Sequence, residues 1–431
     1  MLFRLRHGPI PFLMGLAREY GDIAYYKSGG KEMLLLSHPD LVKEVLANHA
    51  ADVVKGYGLE KAKKLFGEGL LTSEGTLHDR QRRLIQPAFN RVRVAPYGAL
   101  MAATADRMTA RWREGELLDA HAEMIQLTMS IAGFTLFDAD LEKEAAEIGQ
   151  AFVTATELFD TVMSPLAWLW EMLPFGHRRR FQDARARLDD TILRIIRERR
   201  AAGTDRGDLL SRMLTSTDGG QGEAVMSDEQ LRDECMTLFL AGHETLATAM
   251  TWTWYLLARN PAAAARLHAE VDQLKDERTL TAEHLPRLRY AEMVLAEAMR
   301  LYPPVWMLDR RVVKPFAIGG YLLPAGTITV MCPYVVQRDE RFFPDPESFQ
   351  PERWTAEGRS SRPRFSYFPF GAGPRQCLGE AFAWMEATLL LGSIARQWHL
   401  ELKPGHVAGL SPSVTLRPQG PLPMIPRRRR N

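Results

Sequence analysis

Within Tyr367–Gly379 (YFPFGAGPRQCLG), glycines and prolines surround one arginine, Arg375, and one cysteine, Cys377, and a helical pattern resumes with Glu380–Leu391. Glycines in such a run permit φ > 0 turns and let backbone approach a flat ligand closely. A cysteine just ahead of a helix N-terminus meets backbone N–H groups and a dipole that favour its thiolate. A thiolate held this way suits soft-metal ligation, and as an axial ligand of haem iron it favours O–O cleavage. An isolated cysteine in a glycine-rich loop is nonetheless more often only buried. A phosphate-cradling GxGxxG reading fails, because Gln376 stands at the last glycine position and no βαβ unit surrounds the loop.

Glu244 and Thr245 lie inside the apolar run Met236–Ala258 (MTLFLAGHETLATAMTWTWYLLA). Thr245 alone reads as a core threonine bonding the carbonyl four residues back. Glu244 is harder to dismiss, since a buried carboxylate without a task is costly. Glu297 and Arg300, three apart, share one helical face, where an exposed pair is worth about 0.2–0.5 kcal/mol. Their neighbours Met293, Val294, Leu295 and Met299 predict burial instead, and breaking a buried pair costs about 3–5 kcal/mol.

These residues need elements to hold them. Ser227 with Gln230 reads as a capping box, Asp228 and Glu229 suit the positive end of a dipole, and Asn260-Pro261 closes the helix and caps the next. The helix so bounded would be about 50 Å long. It is apolar enough to span a bilayer, but His243 and Glu244 near its middle are expensive in lipid, which predicts a helix through the core of a large protein. Further helical patterns cover Pro39–Asn48, Ala95–Arg113 and Ala184–Arg200. Ile23–Ser28 and Met33–Ser37 read as a hairpin about Gly29-Gly30, and Phe316–Ile318 with Tyr321–Met331 as another about Gly319-Gly320. Nothing alternates as strand–helix–strand, so a doubly wound sheet is excluded.

Composition sets the outer bounds. The chain has 431 residues, 46% of them hydrophobic, with Lys+Arg 55 against Asp+Glu 53, which excludes collagen, coiled coil, a disordered tail and a small disulfide scaffold. A net charge of +2 gives no pull toward nucleic acid. The local basic runs are His177–Arg180 and Arg427–Arg430, the latter reading as a solvated tail. Cys235, Cys332 and Cys377 form neither CxxC nor a zinc spacing, and favour a reducing compartment. No signal-peptide pattern opens the chain. The one stretch resembling a linker, Thr215–Glu223, is short, so one domain over 1–431 is expected, without a fused reductase.

Phe370–Gly379 (FGAGPRQCLG) resembles the haem-binding loop of the cytochrome P-450 superfamily, Phe-Gly-x-Gly-x-Arg-x-Cys-x-Gly, and matches it at each fixed position. Glu297–Arg300 is similar to the family's ExxR motif and is followed by Leu301–Pro304 (LYPP). Pro351–Trp354 (PERW) is similar to PERF, Ala241–Thr245 (AGHET) to the oxygen-activating turn of the distal helix, and Gly75–Phe89 to the WxxxR helix. The likeness spans essentially the whole chain. It implies a mainly α, triangular haem domain with small β regions and a long central distal helix.

The same resemblance implies roles. Haem b would take Cys377 as the axial ligand of its iron and lie against Phe370, Gly371, Gly379 and Ala241. Its propionates would meet His78, Arg82, Arg310 and Arg375. Glu244 and Thr245 would be the acid–alcohol pair that delivers protons for dioxygen activation, and Glu297, Arg300 and Arg353 a structural triad behind the haem. His78 stands where the family usually has tryptophan, Trp354 where it has phenylalanine, and Gln337 where histidine often precedes Arg-Asp. The last two are expected not to touch the chemistry. Leu240, Ala241, Val305, Trp306, Met307, Ser413 and Val414 would line a substrate pocket, nearly all apolar or neutral.

That lining suits a lipophilic substrate, a carotenoid or other terpenoid first and a fatty acid or alkane second. The activity implied is C–H hydroxylation with dioxygen. Electrons would come from a separate ferredoxin with its reductase, or a flavodoxin, docking on a basic face near Cys377, so that NAD(P)H acts only indirectly. A cytoplasmic monomer is expected, with peripheral membrane contact for substrate access and no integral membrane segment. Two other readings stand beside it: a P-450-fold isomerase, dehydratase or peroxygenase, against which Glu244-Thr245 argues, and a haem-binding carrier or sensor without turnover.

Overall fold

The computed structural model describes residues 8–137, 177–203, 205–215 and 226–429. Residues 216–223 of the glycine-rich stretch, the side chains of His177–Arg180, and Arg430 lie outside the description. Helices of ten residues or more among the described residues are α1 Pro9–Tyr20, α2 Tyr57–Phe66, α3 Gly75–Ile85, α4 Tyr97–Thr109, α5 Ala120–Phe137, α6 His177–Ala202, α7 Asp228–Arg259, α8 Pro261–Asp272, α9 Arg289–Leu301 and α10 Glu380–Gln397. The strands are short: β1 Ile23–Ser28, β2 Lys31–Leu36, β3 Val53–Lys55, β4 Leu118–Asp119, β5 Leu308–Val312, β6 Phe316–Ile318, β7 Tyr321–Leu323, β8 Ile328–Met331, β9 Trp398–Leu402, β10 Leu410–Pro412, β11 Leu416–Pro418 and β12 Pro423–Arg428. No helix among the described residues is long and apolar enough to cross a membrane.

Two compact units emerge, one formed by Met1–Gly56, Gly98–Ile125 and Thr245–Asn431, the other by Tyr57–Tyr97 and Gln126–Glu244. The larger unit contains every described strand. Its main sheet runs β1-β2-β8-β5-β3, antiparallel except for β2 beside β8. Ser28 pairs with Lys31, so Gly29 and Gly30 form a two-residue turn with φ 55 and 77. Positive φ at both positions matches the twist of the strands it joins, and glycine takes it freely. Under this sheet Leu36, Val42, Val45, Val312, Phe316, Met331 and Phe368 make one apolar cluster.

The second expected hairpin is shorter than its hydrophobic run. β6 and β7 pair about Gly319-Gly320, but Tyr321–Met331 is not one strand: Pro324 offers no N–H and Gly326 turns at φ 94, and β8 then joins the main sheet. Arg427–Arg429 are likewise not a loose tail: Arg427 and Arg428 are exposed but lie on a strand, and Arg429 is half-buried. β12 pairs with β9, Arg427 Nε donates to Glu401 at 2.8 Å, and Arg428 lies over the Trp398 ring. Arg429 Nη1 caps the end of α10 at the Ala395 carbonyl, 3.0 Å away, while Nη2 meets Asp272 at 2.9 Å.

The smaller unit is helical. Buried Arg199, near the end of α6, donates to Asp208, to Ser211 and to the Phe137 carbonyl. Asp233 and Glu234 of α7 accept the backbone N–H groups of Glu68 and Leu70, which fixes the turn after α2. α7 itself is 32 residues long and continues through the point of division, so Glu244 and Thr245 fall on either side of it. The Gln230 N–H donates to Ser227 Oγ at 3.1 Å, the N-cap half of the expected box. Asn260 ends α7 as expected but does not cap the next helix with its side chain. Its side-chain amide donates to the Leu256 carbonyl at 2.7 Å, closing α7, and makes no cap bond to α8.

Candidate active site

The loop carrying Cys377 is shaped by its own backbone and by one distant segment. Phe370 accepts the Cys377 N–H at 2.9 Å, Gly371 N–H reaches the Phe368 carbonyl at 3.0 Å, and Gln376 N–H the Gly373 carbonyl at 3.0 Å. Gly371 and Gly373 sit at φ 68 and 70. At Gly373 a Cβ would come 1.9 Å from the carbonyl oxygen of Leu46, so no larger residue fits there without backbone movement. At Gly371 a Cβ would meet nothing within 4 Å, which leaves that face of the loop open to a flat group. Cys377 is exposed and lies three residues ahead of the first turn of α10, whose N-cap is Gly379.

Behind the loop, α9 and the segment that follows it form a buried ionic frame. Glu297 and Arg300 are both fully buried and pair in a fork, Nε to Oε2 and Nη2 to Oε1, each at 2.8 Å. Arg300 also donates to the carbonyls of Gln337, Pro346 and Ser348. Glu297 accepts further bonds from the Gln350 N–H at 3.0 Å, Arg353 Nε at 3.3 Å and Trp354 Nε1 at 2.9 Å. So many donors around one carboxylate offset its desolvation. Burial lowers the pKa of Arg353, with the Glu297 charge opposing the shift.

Two residues set aside from the sequence as incidental belong to this frame. The indole N–H of Trp354 is one of the donors to Glu297, and its ring lies 4.3 Å from that of Tyr367, where the loop begins. Gln337 donates to the Met299 and Arg300 carbonyls at the end of α9 and accepts the Phe368 N–H at 3.3 Å, so it ties α9 to the loop. The only signal in the sequence was the departure from the family pattern itself: each side chain brings a donor that must find an acceptor once buried.

The remaining site residues distribute as follows. In the larger unit, Arg310 of β5 is 8% exposed and donates to the Asp309 carbonyl, and Arg375 lies half-buried in the loop. Trp306 is buried and donates its N–H to the Ser413 carbonyl at 2.9 Å, while Cys332 donates its S–H to the Trp306 carbonyl at 3.0 Å. Trp306 thus braces the β10–β11 hairpin, whose Val414 is exposed, and Val305 and Met307 on either side of it are half-buried. In the smaller unit, His78 is buried and Arg82 half-buried, one turn apart on α3.

α7 changes character at its middle. Leu240, His243 and Glu244 are buried, whereas Ala241 is exposed and Gly242 and Thr245 are half-buried. Gly242 has open space where a Cβ would stand. An otherwise buried helix therefore carries a stripe of small residues free of cover, with an acid and an alcohol beside it. Within the larger unit, the exposed thiol, the open Gly371 face and the arginines Arg310 and Arg375 are of the donor types that fit a haem.

Comparison with known proteins covers nearly the whole chain. The family model described as Cytochrome P450 matches residues 1–421. Cyclooctatin synthase of Streptomyces melanosporofaciens is 40% identical over 97% of this chain and 91% of its own. Pentalenene oxygenase of Streptomyces avermitilis is 33% identical over 93% of this chain and 89% of its own. The crystal structure of the cytochrome P450DA heme domain superposes with a TM-score of 0.88 at 26% identity, covering 99% of this chain and 95% of that one. The chain belongs to the cytochrome P450 family and is a haem-dependent monooxygenase that uses dioxygen.

Proposed function

We propose that the enzyme hydroxylates a terpenoid, with Cys377 as the thiolate ligand of haem b. The observation that carries the ligand assignment is the exposed Cys377 thiol, on a residue whose backbone N–H is tied to the Phe370 carbonyl, just ahead of the N-terminal end of α10. Backbone N–H groups and the helix dipole there favour the anion. Bound there, haem would supply reductive activation of dioxygen and insertion of one oxygen atom into a C–H bond. Phe370, Gly371, Gly379 and Ala241 would lie against it, and His78, Arg82, Arg310 and Arg375 would hold its propionates.

Glu244 would take up and release protons, and Thr245 would pass them on through its hydroxyl. The terpenoid assignment is supported by the relatives, which are named as oxygenases of such compounds, including cyclooctat-9-en-7-ol 5-monooxygenase. Leu240, Val305, Met307 and Val414 give the apolar contacts, and Trp306 holds the hairpin bearing Ser413 and Val414 in place. Electrons arrive from a separate ferredoxin or flavodoxin that docks near Cys377, with NAD(P)H upstream of it. We place the enzyme in the cytoplasm as a monomer.

The test is the absorption spectrum of the reduced, CO-bound protein beside that of Cys377→Ser. Wild type is expected to show a Soret band far to the red of histidine-ligated haem, lost in the variant. A well-folded, haem-loaded wild type without that band would overturn the assignment. Cyclic terpene hydrocarbons and alcohols should then convert the haem toward high spin, with linear alkanes weaker.

A further inference from the structure

One row of carbonyls along α7 carries side-chain donors at successive turns. Phe239 O accepts from His243 Nδ1 at 2.7 Å, His243 O from Thr128 Oγ1 at 2.9 Å, and Ala247 O from Thr251 Oγ1 at 2.6 Å. A carbonyl can only accept, so the His243 proton resides on Nδ1. Glu244 and Thr245 lie between the second and third of these bonds. The first and third are made within α7, and threonines that bond back in this way bend helices.

The middle bond is different, because its donor comes from another helix. Thr104, Thr135 and Thr253 donate to carbonyls of their own helices. Thr128, fully buried on α5, reaches across to a carbonyl of α7. A helical carbonyl that takes a second donor tilts from the axis, and the bond it accepts from four residues on lengthens. The carbonyl so drawn belongs to the residue directly before Glu244, at the place where α7 exposes Ala241 and half-exposes Thr245. That carbonyl belongs to the peptide that joins His243 to Glu244, and Thr245 follows on the next peptide.

We infer that Thr128 is a positioning residue for the acid–alcohol pair: its hydroxyl acts through the His243 carbonyl to set the orientation of Glu244 and Thr245. This rests on the reading above that these two residues serve dioxygen activation. The hydroxyl, rather than the bulk of the side chain, carries the effect. Thr128→Val removes the donor at nearly constant volume, and Thr128→Ser keeps it.

The test uses the full-length, haem-loaded protein with carbon monoxide as the probe, compared across wild type, Thr128→Val, Thr128→Ser and Thr245→Ala. In the infrared spectrum of the reduced CO-bound protein, Thr128→Val is expected to displace or split the C–O stretching band, with Thr128→Ser close to wild type. Thermal midpoints are recorded beside it, because a purely structural threonine would lower the midpoint and leave the band alone. A band unmoved in Thr128→Val but displaced in Thr245→Ala would overturn the role of Thr128 alone. A band unmoved in Thr245→Ala as well would overturn the placement of the acid–alcohol pair, and Thr128 with it. If Thr128→Val does not load haem, Thr128→Ala is read by the same criteria.

Discussion

At the scale of single residues, the buried frame around Glu297 is the most sensitive part of the protein. Glu297→Gln would leave Arg300 and Arg353 without their shared carboxylate, and uncompensated buried charge costs about 3–5 kcal/mol. The expected result is a large fall in the thermal midpoint and in haem retained per chain after gel filtration. Trp354→Phe is a milder change that restores the family's usual residue. It removes a hydrogen bond to a charged group, worth about 1.5–3 kcal/mol, and should lower stability in a urea titration without altering the Soret position. A Trp354→Phe protein as stable as wild type would show that the indole N–H is incidental. Gly373→Ala combines positive φ with a clash against the Leu46 carbonyl. It should cost about 1–3 kcal/mol and weaken haem retention, whereas Gly405→Ala, with open space around its Cβ at a similar φ, should not affect haem.

At the scale of elements, what the sequence made legible follows from how local each signal is. The β1–β2 hairpin was readable because two glycines between β-prone runs specify one turn. The start and end of α7 were readable because Ser227 and Asn260-Pro261 punctuate a long apolar pattern. The direction in which Asn260 points was not, since its amide can serve either helix and only packing decides. The fate of Arg427–Arg429 was equally hidden: charge composition says that arginines prefer water, but strand pairing with β9 brings them to Glu401, Trp398 and the open carbonyls of α10. Arg429→Ala should therefore destabilise the protein by about 1 kcal/mol through loss of a helix C-terminal cap, with a smaller effect for Arg427→Ala at its exposed pair. Equal effects of the two in a chemical denaturation series would remove the capping explanation. The burial and pairing of Glu297 and Arg300 were legible by type and spacing, whereas the bonds made by Thr128, Gln337 and Trp354 reach across to other elements and no local pattern announces them.

At the scale of the whole molecule, stability on the acid side is tied to a histidine pair. His268 on α8 and His399 on β9 meet edge to face at 5.4 Å. Burial, then the charges of Arg429 and His399, push the pKa of His268 down to about 4, with Asp272 opposing, and burial also lowers that of His399. The unfolded chain protonates these rings near pH 6.5, before the folded chain does. Their neutral forms therefore favour the fold fully above about pH 6.5, and the advantage is lost as pH falls through the window down to about 4. His268→Gln should flatten the dependence of the thermal midpoint on pH across that interval while leaving it unchanged in slope above it. An unaltered slope between those limits would place the acid sensitivity elsewhere.

The clash that any side chain at Gly373 would have with the Leu46 carbonyl has a consequence for engineering. The ten residues from Phe370 to Gly379 look like a portable cassette, short and self-bonded, ready to be grafted before any helix. They are not portable, because one wall of the mould in which they set is a π-helical turn at Glu44–Asn48, contributed from far earlier in the chain. A host scaffold given the loop without that turn would inherit the cysteine but not the shape that presents it.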